Sequence, residues 1–212
     1  KRQAVRLSSL AAAALVIGGC VSFPDAPAAR VEPSLTETAF IAADGARLGL
    51  TAWRAQQPVA IIAAVHGMND YANAFSLAAP EWAKRGLSTY AYDQRGFGRS
   101  PGQGVWPGAP ALKQDLHDFV AALRRAHPGS PVFVAGHSMG AAVVMAAHRD
   151  RPLDADGIIL AAPGVWGGAQ MPLFYRLTLN LAAGVAPRKT LTGGSAARQA
   201  SDTIESLRAM YE

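Results

Sequence analysis

The sequence predicts an α/β fold: a mostly parallel, doubly wound sheet with helices on both faces. Three observations carry this. Strand-like runs rich in apolar residues recur at 59–65, 87–92, 132–135 and 157–162, and the first of them is the continuous kind that suits a strand buried on both faces. Stretches of helical spacing lie between them, at 75–85, 111–126 and 138–150. Strands that alternate with helices need crossover connections, and these build parallel sheets. With 212 residues, 50% of them apolar and 17% charged, the chain is long enough to bury one substantial core.

The first twenty residues read differently. Lys1, Arg2 and Arg6 make a basic start, residues 10–18 form an apolar run of mostly small side chains, and Cys20 follows Ile17-Gly18-Gly19. This is the layout of an export signal, and the run is far short of the ~20 residues that span a bilayer. A small-residue pair before a cysteine resembles the lipobox of bacterial lipoproteins, which implies lipidation at Cys20 and a membrane anchor there. Cys20 is the single cysteine and has no intramolecular disulfide partner. Val21 after it, rather than Asp, implies an exported lipoprotein with an outer-membrane or periplasmic address.

Residues 21–34 carry Pro24, Pro27 and Pro33 and read as a Pro/Ala-rich tether, so the folded core is expected over 35–163. Strands at 38–42 and 46–54 flank Asp44-Gly45, a dipeptide that favours tight hairpin turns, and suggest an antiparallel opening. Gly86 stops the helix at 75–85, and His127-Pro128-Gly129 ends the one at 111–126.

Chemistry concentrates at Gly136-His137-Ser138-Met139-Gly140, between the strand at 132–135 and the helix at 138–150. A Gly-x-Ser-x-Gly turn in that setting is a nucleophile elbow, which lifts a serine hydroxyl above the sheet edge. Its glycines are a steric need, since side chains at 136 or 140 would meet the neighbouring strand or helix. Val65-His66-Gly67-Met68 ends the first buried strand, where its loop can approach the elbow. The backbone N–H groups of Met68 and Met139 are therefore the candidate oxyanion-hole donors. His66 itself reads as a loop former rather than an acid or base.

A third motif, Asp93-Gln94-Arg95-Gly96-Phe97-Gly98-Arg99-Ser100, completes a pattern. His-Gly turn, Asp-x-Arg-Gly-x-Gly-x-Ser loop and Gly-His-Ser-Met-Gly elbow, followed by Ala162-Pro163, resemble in this order the monoacylglycerol lipase and lysophospholipase branch of the α/β-hydrolases, also grouped with serine aminopeptidases. The likeness covers about 35–212. It implies an α/β-hydrolase fold, Ser138 as nucleophile, no metal or organic cofactor, and Asp93, Arg95 and Ser100 as braces of the loop beside the site. Asp70 stands where relatives often carry Glu. Residues 164–212 are then the start of a helical lid, with 172–186 mostly apolar and 202–211 an amphipathic helix.

The family order is Ser, then Asp, then His, yet all five histidines lie at or before position 148. His148 is ten helical residues beyond Ser138, about 15 Å away at 1.5 Å per residue. His117 and His127 belong to the preceding helix, and His137 should point away from the hydroxyl. Asp154 and Asp156 precede a strand, at the wrong end of the sheet, and Asp202 and Glu205 fall in a helical stretch. The triad Asp and His are thus not in this chain. The expectation is a sequence clipped at both ends, with Lys1 in place of an initiating Met and the acid and base beyond Glu212.

The net charge of +5 falls to +2 without Lys1, Arg2 and Arg6, and no basic patch interleaves with aromatics, which argues against nucleic acid. The expected partner is a small-molecule acyl ester, of monoacylglycerol or lysophospholipid type. The alternatives are an aminopeptidase-like hydrolase and a catalytically inactive surface lipoprotein of the same fold.

Overall fold

The run at 59–65 folds as an interior strand of a seven-stranded sheet in the computed structural model, which describes residues 25–165 and 172–185. The strands are β1 (Ser34–Leu35), β2 (Ala39–Ile41), β3 (Arg47–Trp53), β4 (Ala60–Val65), β5 (Leu87–Tyr92), β6 (Val132–His137) and β7 (Gly157–Ala161). Their spatial order is β1-β2-β3-β5-β4-β6-β7. The first three pair antiparallel and β3 is antiparallel to β5, whereas β5, β4, β6 and β7 run parallel. All six residues of β4 are buried, as two-sided coverage demands.

That coverage comes from helices α1 (Ala78–Lys84), α2 (Ala109–Ala126) and α3 (Met139–Asp150). Alternate residues of β4 face opposite layers, because side chains alternate along a strand. Ile61, Ala63 and Val65 pack with Leu112, Leu116, Phe119 and Leu123 of α2 and with Val143, Val144 and Ala147 of α3. Ile62 and Ala64 pack on the other face with Phe75 and with Ala79 of α1. Phe40, Tyr92 and Phe119 form an aromatic cluster, with ring centroids 4.7 to 5.5 Å apart, that ties the antiparallel strands to α2.

The helix expected at 75–85 is two pieces, a 3₁₀ turn at Ala72–Phe75 and then α1. Pro80 explains the break. It has no N–H to give Ser76, so it is tolerated only in the first turn of a helix that starts near 78. The short strand β1 was not expected from the sequence. Upstream of it, the Arg30 and Val31 N–H groups both donate to the Ala43 carbonyl, at 2.6 and 2.9 Å.

A separate unit holds helix α4 (Leu173–Val185), on which Leu173, Phe174, Leu177, Leu181 and Val185 are exposed. Among the described residues no helix is long and apolar enough to cross a membrane. Cys20 with its signal-like segment, and the stretch at 202–211 with Asp202 and Glu205, lie outside the described residues.

Candidate active site

Ser138 sits where β6 hands over to α3, with φ at 52° and ψ at −117°. A side chain other than glycine rarely holds such a φ, so the surrounding structure must enforce it. Two glycines and three hydrogen bonds do so. A Cβ added to Gly136 would lie 2.6 Å from Ala141 Cα, and one added to Gly140 would lie 2.2 Å from the Val65 carbonyl oxygen. The Ser138 N–H donates to the Ala161 carbonyl at 3.0 Å, while the Ser138 carbonyl accepts from Gly164 N–H at 2.9 Å and Ala142 N–H at 3.2 Å. The turn after β7, with Ala162 at φ 43°, therefore clasps the elbow.

The His-Gly loop arrives beside Ser138. A Cβ on Gly67 would be 3.2 Å from Ser138 Cβ and 3.4 Å from His137 Nδ1, so the peptide that follows it borders the serine. No hydrogen bond among the described residues takes the N–H of Met68 or of Met139. Met139 also opens α3, whose first-turn amides present partial positive charge next to Ser138 Oγ. The Met68 side chain is exposed, consistent with a position where only the backbone matters.

Behind this loop lies a buried polar frame. Asp93 is fully buried and its carboxylate accepts from Ala72 N–H at 2.8 Å, Arg99 N–H at 2.9 Å and Arg99 Nε at 2.8 Å. Ser100 Oγ donates to the Asp93 carbonyl and accepts from Gly49 N–H at 3.1 Å. Arg95 forks onto two carboxylates, Asp44 in the β2–β3 turn and Asp115 on α2, at 2.7 to 2.9 Å. Burial pushes Asp115 up to about 6, against the opposing pull of Arg95. Asp70 accepts from Tyr71 N–H at 2.9 Å and lines a cleft with Asn69, Phe97 and Arg99.

Three residues of this frame escaped the sequence reading. Gln94 donates through its backbone N–H to His66 Nε2 at 2.9 Å and through Nε2 to the His66 carbonyl at 2.8 Å. Gly164 clasps the elbow. Gly49 leaves room for Asp93, since a Cβ there would stand 2.4 Å from Asp93 Oδ2. Only Gly49 carried a readable signal, a lone glycine within a strand, which often marks close approach of another chain segment.

None of the five histidines hydrogen-bonds Ser138. His148 Nδ1 accepts from Leu153 N–H past the end of α3, His127 packs on Tyr90, and His137 is exposed. Asp156 accepts from Val132 N–H at the start of β6, the strand end opposite Ser138. The site as described sets Ser138 between the Gly67–Met68 peptide and the start of α3, and among the described residues no histidine hydrogen-bonds it.

His66 is buried, and burial holds its pKa below the ordinary 6.5 despite the Gly67 carbonyl and the carboxylates of Asp70 and Asp93. Below pH 6.5 the unfolded chain takes up a proton that the folded ring refuses. The stability that His66 contributes above 6.5 is therefore lost as pH falls toward the folded ring's lower value, by at most about 1.4 kcal/mol per pH unit. Urea melts of the wild type between pH 7 and 5 should show this loss, and His66→Asn should show a shallower one. Equal slopes would place the acid sensitivity elsewhere, for instance at His117 or His127, which burial also lowers.

The family model for serine aminopeptidase S33 matches residues 56–212. Over 137 residues the chain is 29% identical to the monoacylglycerol lipase of Mycolicibacterium smegmatis, covering 64% of this chain and 49% of that one. It is 30% identical over 140 residues to human monoglyceride lipase, covering 65% and 46%. The crystal structure of Paleococcus ferrophilus monoacylglycerol lipase superimposes with a TM-score of 0.54 at 20% identity, over 66% of this chain and 52% of that one, which shows a common fold. The chain spans about half the length of the curated relatives it matches.

Proposed function

The chain belongs to the serine aminopeptidase S33 family, in its monoacylglycerol-lipase-like branch of the α/β-hydrolase fold, and on that premise we propose that the protein hydrolyses carboxylic esters through an acyl-enzyme on Ser138. One observation supports the reading: a strained elbow sets Ser138 against the Gly67–Met68 peptide and the start of α3, and the Met68 and Met139 N–H groups have no hydrogen-bond partner among the described residues.

Ser138 Oγ attacks the ester carbonyl carbon while its proton passes to a general base, a role that no side chain described at this site fills. The carbonyl oxygen becomes an oxyanion that accepts from the Met68 and Met139 N–H groups. Collapse breaks the bond to the alcohol, which leaves with the proton, and water then releases the carboxylic acid from Ser138 by the same two steps. Without the base the hydroxyl stays protonated at neutral pH and is a poor nucleophile.

A monoacylglycerol or lysophospholipid is the favoured substrate class. The names of the relatives and the apolar sequence at 172–186 support it. The test is a panel assayed with the protein expressed at the full length its gene encodes: a long-chain monoacylglycerol, a lysophospholipid, a short-chain aryl ester and an aminoacyl amide. The expected result is a kcat/KM at least about tenfold higher for the long acyl glycerol or lysophospholipid than for the short ester. A preference for the aminoacyl amide would replace this reading with an aminopeptidase-like one.

A further inference from the structure

The His-Gly turn holds a buried imidazole with both ring nitrogens engaged. The His66 ring is fully buried and makes two hydrogen bonds, one at each nitrogen. The partner at Nε2 is the backbone N–H of Gln94, which can only donate, so Nε2 must be the unprotonated acceptor. The single proton of the neutral ring is then on Nδ1, and it donates to the Gly67 carbonyl at 2.8 Å. The Gln94 side chain holds the same residue from behind through the His66 carbonyl.

Gly67 O belongs to the peptide that carries the Met68 N–H. In a planar trans peptide the C=O and the N–H point in opposite directions. A carbonyl tied to His66 Nδ1 therefore turns the Met68 N–H away from the imidazole. Gly67 itself abuts Ser138, since a Cβ added to it would stand 3.2 Å from Ser138 Cβ, and Asn69 at φ 58° turns the chain away directly after Met68. The plane of one peptide beside the nucleophile is thus set by one imidazole proton.

We propose that His66 is a positioning residue for the oxyanion hole: its Nδ1–H, kept on that nitrogen by Gln94, fixes the Gly67–Met68 peptide so that the Met68 N–H faces the oxyanion formed at Ser138. The inference rests on the acyl-transfer reading above. His66 acts through the peptide and touches no reacting atom.

Two substitutions separate its two hydrogen bonds. In His66→Asn the side-chain amide can place a donor near the Nδ1 position, whereas in His66→Gln it reaches the Nε2 position and leaves Gly67 O without its donor. Both are made in the full-length protein and assayed for ester hydrolysis and for inhibition by a trifluoromethyl ketone, which forms an oxyanion on the serine. His66→Gln should lower kcat by about 10- to 100-fold, with KM within about threefold and ketone affinity falling in parallel. His66→Asn should recover most of that loss. Equal losses in the two variants, or a Gln variant with wild-type kcat, would overturn the proposal. Ring ¹⁵N NMR of the wild type tests it without any substitution, because a proton found on Nε2 rather than Nδ1 would also overturn it. If the wild type shows no Ser138-dependent turnover, the hydrolase reading fails and this inference fails with it.

Discussion

Replacing Ser138 with alanine is expected to abolish labelling of the full-length protein by a fluorophosphonate probe and to lower ester turnover by about 10⁶-fold, the size of the loss when a triad serine is removed. The size follows from the chemistry, because alanine has no hydroxyl to attack the ester carbon. Ser100 Oγ is buried and committed to the Asp93 carbonyl and the Gly49 N–H. The substitution should leave the fold intact. Alanine meets the same backbone demand at φ 52° as serine, and Ser138 Oγ makes no hydrogen bond among the described residues that would be lost. An unchanged melting temperature with lost labelling therefore isolates the nucleophile. Labelling that survives would move the reactive group to another residue, and a folded wild type that never labels would leave a catalytically silent member of the fold.

How far the sequence could be read depended on how local each constraint is. The buried strands were legible because β4 needs apolar side chains on both faces, and the elbow because its glycines and its strand–turn–helix setting lie within about twenty residues. Asp44-Gly45 likewise announced the β2–β3 hairpin, and Gly45 does hold φ at 86°. The interior of the site was less visible. Gln94 meets His66 across 28 residues of sequence, and Gly164 meets Ser138 only after β7 has returned beside β6. Neither has a residue type that advertises its role. The split of the helix at 75–85 was legible in principle, since Pro80 restricts where α1 can start, but the helical spacing around it masked the break.

The largest structural effect is expected at Gly140. A Cβ there would stand 2.2 Å from the Val65 carbonyl oxygen, 2.5 Å from that of His66 and 2.7 Å from Val65 C, all backbone atoms at the end of β4. These cannot retreat as a side-chain tip would, because β4 is paired on both sides, with Val65 in register with Gly136 and Ala64 with Ala91. Gly140→Ala should therefore cost about 3 kcal/mol or more, the upper range for overpacking, and lower the melting temperature by roughly 6–12 °C. Gly102→Ala gives the contrast. It has φ at 77° but open space around it, so only backbone strain of about 1–2 kcal/mol applies. Any relief at position 140 must push apart α3, which carries Met139, and the end of β4, which leads into His66, Gly67 and Met68. Activity should then fall further than stability explains, even at temperatures where the variant is folded. A Gly140→Ala protein as stable and active as wild type would mean that the close approach of α3 to β4 does not hold, and with it the arrangement proposed for the two oxyanion donors.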